Sequence, residues 1–355
     1  MLKGKILLIC GSLNQTTMMH KISEHLTDYD CYFTPYYADG FIRILSFTSL
    51  LNFSLLGGQF RKRTIRYLVE NNLKIDFEGV ENNYDLVFTC SDLIVPKNIR
   101  KKRVILVQEG MTDPENIFYY IVKMLRLPRW LASTSTTGLS HAYEKFCVAS
   151  EGYKELFIRK GVDPSKIEVT GIPNFDNCSE YLVNDFPYKN FVLVATSDAR
   201  ETYKYENRKK FIRKAVKIAK GKQLIFKLHP NEKVERAAKE IKKYAPGAVV
   251  YSSGNTEHMI AKCDILITRF SSVVYVGLAL GKEVFSEFNI NDLKKLMPIQ
   301  NGGASALNIS KVAKKLLSEK TVTRVSMEIK KPRFDFFEKY KLKRRLAEPK
   351  SNLPN

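Results

Sequence analysis

The sequence predicts an α/β protein with two doubly wound units whose parallel sheets face each other across a crevice. Three observations carry that expectation. Short apolar runs such as KILLIC (Lys5–Cys10) and FVLVA (Phe191–Ala195) alternate with helical stretches, the period of parallel strands joined by crossover helices. The 355 residues are too many for one ordinary α/β core and suit two. A stretch without clear period, Asp176–Lys189, interrupts the alternation near the middle. The expected division is 1–183 and 184–325, followed by a basic tail over 326–355 that could pack back on the first domain.

In the first half, Lys5–Cys10 reads as a buried strand, Gly11-Ser12 as a tight turn, and Gln15 to Leu26 as a helix. The apolar segment Phe41 to Leu56, followed by Arg61, Lys62, Arg63 and Arg66, fits either a core helix with a solvated basic neighbour or an interfacial segment. Asp85–Cys90 and Val104–Gln108 are strands. Asn116–Trp130, apolar but carrying Lys123, Arg126 and Arg129, is again either core or membrane-facing. A strand at Lys145–Ala149, a helix over Gly152–Lys160 and a strand at Ile167–Gly171 complete this half.

The second half continues with a helix over Glu206–Ala219, strands at Leu224–Leu228 and Ala248–Tyr251, and a helix over Glu232–Tyr244 between them. It then reaches CDILITRFSSVVYVGLALGKEVFSE, Cys263–Glu287. This reads strand, turn, helix, strand, with Ser271 and Ser272 at the helix start and Gly281 ending it. Gln300–Ser305 is a polar loop in which Gly302-Gly303 serve either close backbone approach to a ligand or a tight turn.

Composition narrows the partners. The 58 Lys and Arg against 37 Asp and Glu give a formal net charge of +21, which favours anionic partners. No helix-turn-helix or aromatic-basic RNA signature is present, so nucleic acid is not expected. The six cysteines are scattered without a CxxC pair and read as small core residues in a reducing compartment, with no zinc site. Met1–Gly11 is too short for a signal peptide, and no run of about 18 apolar residues suggests a spanning helix. The expected location is the cytoplasm, with peripheral attachment to the inner face of the membrane a further expectation.

Three motifs fall at strand ends, where open α/β sheets keep their sites. Glu109-Gly110 sets a carboxylate on a glycine turn, suited to a general base, or is a plain surface turn. His229-Pro230 follows a strand; its ring can pair with a phosphate or cap its own helix. Ser271-Ser272 offers two hydroxyls to a phosphate, or only caps a helix.

On these motifs the chain resembles nucleotide-sugar glycosyltransferases of the two-Rossmann GT-B type. VTGIPNFD, Val169–Asp176, is similar to a hinge shared by Kdo transferases, CDP-glycerol transferases and non-hydrolysing UDP-GlcNAc 2-epimerases. DILITRFSSVVYVGLALGKEV, Asp264–Val284, is similar to the donor motif of CDP-glycerol transferases. Glu109-Gly110, His229-Pro230 and Ser271-Ser272 resemble the acidic-Gly, HP and Ser-pair motifs of bacterial sialyltransferases and β-Kdo transferases. CDP-glycerol transferases place a His where this chain has Glu109, which argues against glycerol phosphate transfer. The resemblance implies that Glu109 deprotonates an acceptor hydroxyl and His229 stabilises the leaving nucleotide phosphate. It implies substrate contacts from Gly110, Pro230, Arg269, Ser271 and Ser272, a nucleotide pocket at Thr196 and Ser197, and an acceptor side at Gly11 and Ser12. The implied co-substrate is a nucleotide sugar, with a cytidine nucleotide favoured, and the acceptor a cell-surface glycan or lipid-linked molecule. No cofactor and no metal are implied. The alternatives are a UDP-GlcNAc 2-epimerase-like enzyme and a non-catalytic membrane-surface protein.

Overall fold

A computed structural model describes residues 4–329 except 47, 49–50, 52–53 and 202–204. The first domain holds β1 (Lys5–Cys10), α1 (Leu13–Ser23), β2 (Asp30–Pro35), α2 (Gly40–Ser46), α3 (Gly58–Glu70), β3 (Leu86–Thr89) and β4 (Val104–Val107). It continues with α4 (Ile117–Met124), β5 (Lys145–Val148), α5 (Glu151–Lys160) and β6 (Ile167–Val169). Its six strands run in the order β2-β1-β3-β4-β5-β6, and every pairing is parallel. Strands β3 and β4 are buried along their whole length, as strands covered on both faces must be. Strand β2 was not foreseen from the apolar runs. It is an edge strand whose first half is only half-buried and which ends on Pro35, so its sequence lacks the wholly apolar signal of its neighbours.

The second domain holds β7 (Val192–Ala195), α6 (Arg208–Ala219), β8 (Leu224–Lys227), α7 (Val234–Tyr244), β9 (Val249–Tyr251), α8 (Thr256–Lys262) and β10 (Ile265–Ile267). There follow α9 (Val274–Ala279), β11 (Glu283–Phe285), α10 (Ile290–Leu296) and α11 (Ser305–Ile329). Its parallel sheet has the order β11-β10-β7-β8-β9. Phe211, Ile212 and Ala215 of α6 and Ala237 and Ile241 of α7 close a core over Val192, Val194 and Phe226. Helix α9 lies close on its sheet because Gly277 has no side chain: a Cβ there would stand 2.7 Å from Leu266 Cδ2 and 3.1 Å from Val284 Cγ2. The fold is thus two Rossmann-like domains with parallel sheets, the GT-B architecture. Both sheets lie in one compact unit that ends at Ala313, and a second unit begins at Lys314. All but the first four residues of the expected basic tail lie outside the described residues.

The domains touch along one side. Tyr153 and Tyr275 share a hydroxyl–hydroxyl hydrogen bond of 2.7 Å in a buried position. A Cβ on Gly152 would lie 2.0 Å from the Lys295 carbonyl oxygen, so α5 can meet α10 only through a glycine. The loop Gln300–Ser305 clasps the segment Val169–Asp176. Gln300 Nε2 donates to Phe175 O (2.5 Å), the backbone N–H groups of Asn301 and Gly302 donate to Asp176 O, and Ser305 N donates to Asp176 Oδ2 (2.9 Å). Gly302 and Gly303 both have positive φ, the backbone of a tight turn.

All six cysteines are free, and burial raises the thiols of Cys10, Cys90, Cys147 and Cys263 above their ordinary range, as for inert core side chains. Among the described residues, neither of the two ambiguous apolar segments forms a helix buried all round. Helix α2 buries no residue, and Phe41 and Ile44 are exposed. Helix α4 buries Tyr119 and Val122 and exposes most of its other large apolar side chains. Among the described residues, no helix is long and apolar enough to cross a membrane.

Candidate functional site

In the first sheet the strand order reverses between β1 and β3; in the second it reverses between β7 and β10. Such reversals leave a gap at the carboxyl ends of the strands, where ligands bind. A cavity of about 430 Å³ lies there. Glu109 and Gly110, after β4, and Asn14, from α1, line it from one side; His229, after β8, and Ser271 and Ser272, after β10, line it from the other. The gap is narrow at one point: a Cβ on Gly110 would come within 3.6 Å of Ser272 Cβ.

The Glu109 carboxylate is held by both oxygens. Ser12 Oγ donates to Oε1 (2.7 Å) and Gln15 Nε2 donates to Oε2 (2.6 Å). Ser12 also caps α1, its Oγ accepting from Gln15 N at 3.1 Å. Gly11 makes room for this clamp, since a Cβ there would lie 2.2 Å from Gln15 Oε1. Gln108 braces the turn from below: its amide donates to Gly110 O (2.8 Å), and its oxygen accepts from Ala149 N (2.9 Å). Glu109 therefore sits at a fixed place at the crevice wall, with its remaining lone pairs available to a substrate proton.

His229 is held by its own turn. Its N–H donates to Thr196 Oγ1 (3.1 Å) and to Glu232 Oε2 (3.0 Å), while its Nδ1 accepts from Asn231 N (3.2 Å). With Nδ1 accepting, the neutral ring carries its proton on Nε2, a hydrogen-bond donor. Asp198 stands beside the ring, Oδ2 lying 3.7 Å from Nδ1 and accepting from Asn231 Nδ2 at 3.0 Å.

The expected site residues separate into two groups. Glu109, Gly110, His229, Ser271 and Ser272 line the one cavity, and Ser12 holds Glu109. Thr196 is buried and its hydroxyl is spent on Lys227 O, His229 N and Glu232. Pro230 is exposed and does not line the cavity. Ser197 and Arg269 line a neighbouring recess of about 410 Å³ instead. Arg269 faces two carboxylates there, Glu206 at 3.5 Å and Glu287 at 3.8 Å. The Ser pair also differs from expectation: neither hydroxyl caps α9, whose cap position is Val273. Their carbonyls instead accept from Val274 N and Tyr275 N in a tight turn.

Several lining residues carried no clear sequence signal. Asp113 and Asp198 bring two further carboxylates to the cavity, and Phe270 and Phe288 bring apolar walls. Asp113 accepts from Thr134 Oγ1 at 2.9 Å. Asp198 was the legible one, lying just past Thr196-Ser197 at a strand end. Among the described residues, no group of three or more His, Cys, Asp or Glu is arranged to hold a metal ion.

No protein-family model and no curated protein matches the sequence. Solved structures do share the fold. A UDP-GlcNAc 2-epimerase from Neisseria meningitidis bound to UDP-GlcNAc matches with a TM-score of 0.55 and 13% identity, over 88% of this chain and 100% of that one. The S. aureus MnaA–UDP structure matches with a TM-score of 0.54 and 15% identity, over 88% of each chain. A variant of the wall teichoic acid polymerase TagF matches with a TM-score of 0.51 and 12% identity, over 90% of this chain and 91% of that one. At such identities the likeness establishes the architecture: this chain has the two-domain GT-B fold.

Proposed function

We propose that the protein is a glycosyltransferase that moves a sugar from a nucleotide-activated donor to a hydroxyl of a glycan or lipid-linked acceptor. The observation that carries this reading is the clamped Glu109 facing the His229 turn across one cavity. In the transfer, the acceptor hydroxyl gives its proton to Glu109 as its oxygen bonds to the anomeric carbon. The bond from that carbon to the nucleotide phosphate breaks, and its electron pair leaves with the phosphate. His229, through Nε2–H, and the Ser271 and Ser272 hydroxyls receive the developing charge. The reading needs no divalent metal, so chelation with EDTA should leave turnover unchanged. The donor nucleotide is a cytidine phosphate in this reading, on the motif resemblance alone. Competitive binding of CMP, CDP, UDP and GDP tests that part, and far tighter UDP would overturn it.

A nucleotide-sugar 2-epimerase is the second reading. Asp113 and Asp198 favour it, because they add carboxylates for proton traffic around a sugar, and two of the structural neighbours are described with UDP-GlcNAc or UDP bound. Incubation with a panel of nucleotide sugars separates the two. Release of nucleotide with transfer or hydrolysis supports the first, and sugar interconversion with the nucleotide retained supports the second. If neither activity is seen, both readings fail.

A further inference from the structure

Helix α4 and the turns after it present an apolar surface that no other described residue covers. Asn116 Oδ1 caps the helix by accepting from Tyr119 N at 3.2 Å. Tyr119 and Val122 are buried; Ile117, Tyr120 and Met124 fall on the opposite side and Phe118 and Leu125 on its flank, and all five are exposed, Met124 by 74%. Leu127, Trp130 and Leu131 extend this face beyond the helix and are also exposed. Soluble proteins rarely leave so many neighbouring large apolar side chains in water without a use for them.

The helix is firmly seated, so the exposure is not that of a loose segment. Beneath it, Lys160 Nζ donates to Ser135 O (2.8 Å) and lies 5.7 Å from the centre of the Tyr119 ring. Lys123 Nζ donates to Lys160 O (3.1 Å), and Arg129 donates to Asp92 O (3.0 Å). Within the stretch itself the charge is one-sided. Between Glu115 and Glu144 the chain has no acidic residue, while Lys123, Arg126 and Arg129 interleave with the apolar positions. Among the described residues, neither Lys123 nor Arg126 meets a carboxylate. Apolar side chains interleaved with cations, with Tyr120 and Trp130 amphipathic among them, match the boundary between acyl chains and anionic headgroups.

We propose that the segment Asn116–Leu131 docks the protein on an anionic lipid bilayer. Phe118 and Leu131 also wall the recess that adjoins the crevice through Asp113, Asp198 and Phe270, so a docked membrane lies beside the route to the site. The docking stands or falls independently of the transfer chemistry.

Trp130 is the single tryptophan in the chain and reports on this face directly. The full-length protein is mixed with vesicles of equal parts phosphatidylcholine and phosphatidylglycerol, or of phosphatidylcholine alone. Sedimentation with the anionic vesicles, weakened by salt and accompanied by a blue shift of Trp130 emission, is the expected result. The variant Phe118→Ser/Met124→Ser/Leu125→Ser changes only exposed side chains and should lower the affinity for anionic vesicles by roughly tenfold or more. Undiminished binding by that variant would place the contact elsewhere, for example on the basic tail, and overturn the proposal. So would vesicle binding that leaves Trp130 emission unmoved. Emission already typical of a buried indole without lipid would mean that the face is covered by a second copy, if the protein sediments as a dimer, or by its own chain if it does not. Either finding rejects the lipid bilayer as the occupant.

Discussion

The two walls of the crevice are built by different means. Glu109 is held from afar: its partners Ser12 and Gln15 are 97 and 94 residues away in sequence, on a different strand–helix turn. His229 is held mainly by its neighbours, with Asn231 and Glu232 closing the turn around it and Thr196 and Asp198 reaching in from the end of the adjacent strand. The difference has a physical meaning. A side chain fixed by its own turn keeps its place as long as the turn forms. A side chain fixed by another element keeps its place only while both elements stay in register. The Glu109 side of the site should therefore be sensitive to substitutions that never touch substrate, and the other side should be sensitive mostly at His229 itself.

The largest effect is expected at the base. Glu109→Gln keeps shape and can keep both hydrogen bonds, with Ser12 and Gln15 as partners, but it cannot take a proton. Turnover should fall by roughly 10²–10⁴-fold with nucleotide affinity nearly intact. Full activity in Glu109→Gln would remove it as the base. Next is His229→Ala, which should lower turnover by about 10²-fold and also weaken nucleotide binding if, as proposed, the ring contacts the leaving phosphate in both states. If isothermal titration shows nucleotide affinity unchanged, the ring does not meet the phosphate in the bound state.

Gln15→Met tests the long-range clamp. The side chain keeps its length in its buried position but no longer donates to Glu109. A fall in kcat of roughly tenfold, with nucleotide affinity unchanged, is expected from a base that has lost one of its two restraints. An unchanged kcat would show that Ser12 alone positions the carboxylate. The smallest effect belongs to Ser12→Ala. It removes the other restraint and the α1 cap together, so thermal unfolding should report a loss of about 1 kcal/mol beside a modest drop in turnover. A kinetic loss larger than that of Gln15→Met would reverse the order of the two restraints.

The alternation of apolar runs and helical stretches was enough to read two parallel-sheet domains, because strand and helix periods are local properties of the chain. The same runs located strand ends, and polar residues at strand ends pointed to Glu109, His229 and the Ser271-Ser272 pair. That inference is local too: a polar residue just past a buried strand emerges where an open sheet leaves its crevice. Edge strand β2 was missed for the matching reason, since a half-exposed strand ending in Pro35 does not carry the signal.

Partners across space were decided by the tertiary structure alone. Nothing around Gln15 announces that its amide will meet a carboxylate from β4, or that Gly11 must lack a side chain to allow it. The loop Gln300–Ser305 read equally as a ligand loop or a turn; only its bonds show that it clasps Phe175 and Asp176. Thr196 had the right chemistry for a nucleotide pocket, yet a neighbouring strand end takes up its hydroxyl, and Arg269 faces Glu206 at 3.5 Å. Helix α4 makes the point most simply. An apolar sequence with three cations is compatible with core and with surface, because burial depends on what stands opposite. Here nothing in the described fold stands opposite Met124, and that is a fact about the assembled domains which no stretch of sequence contains.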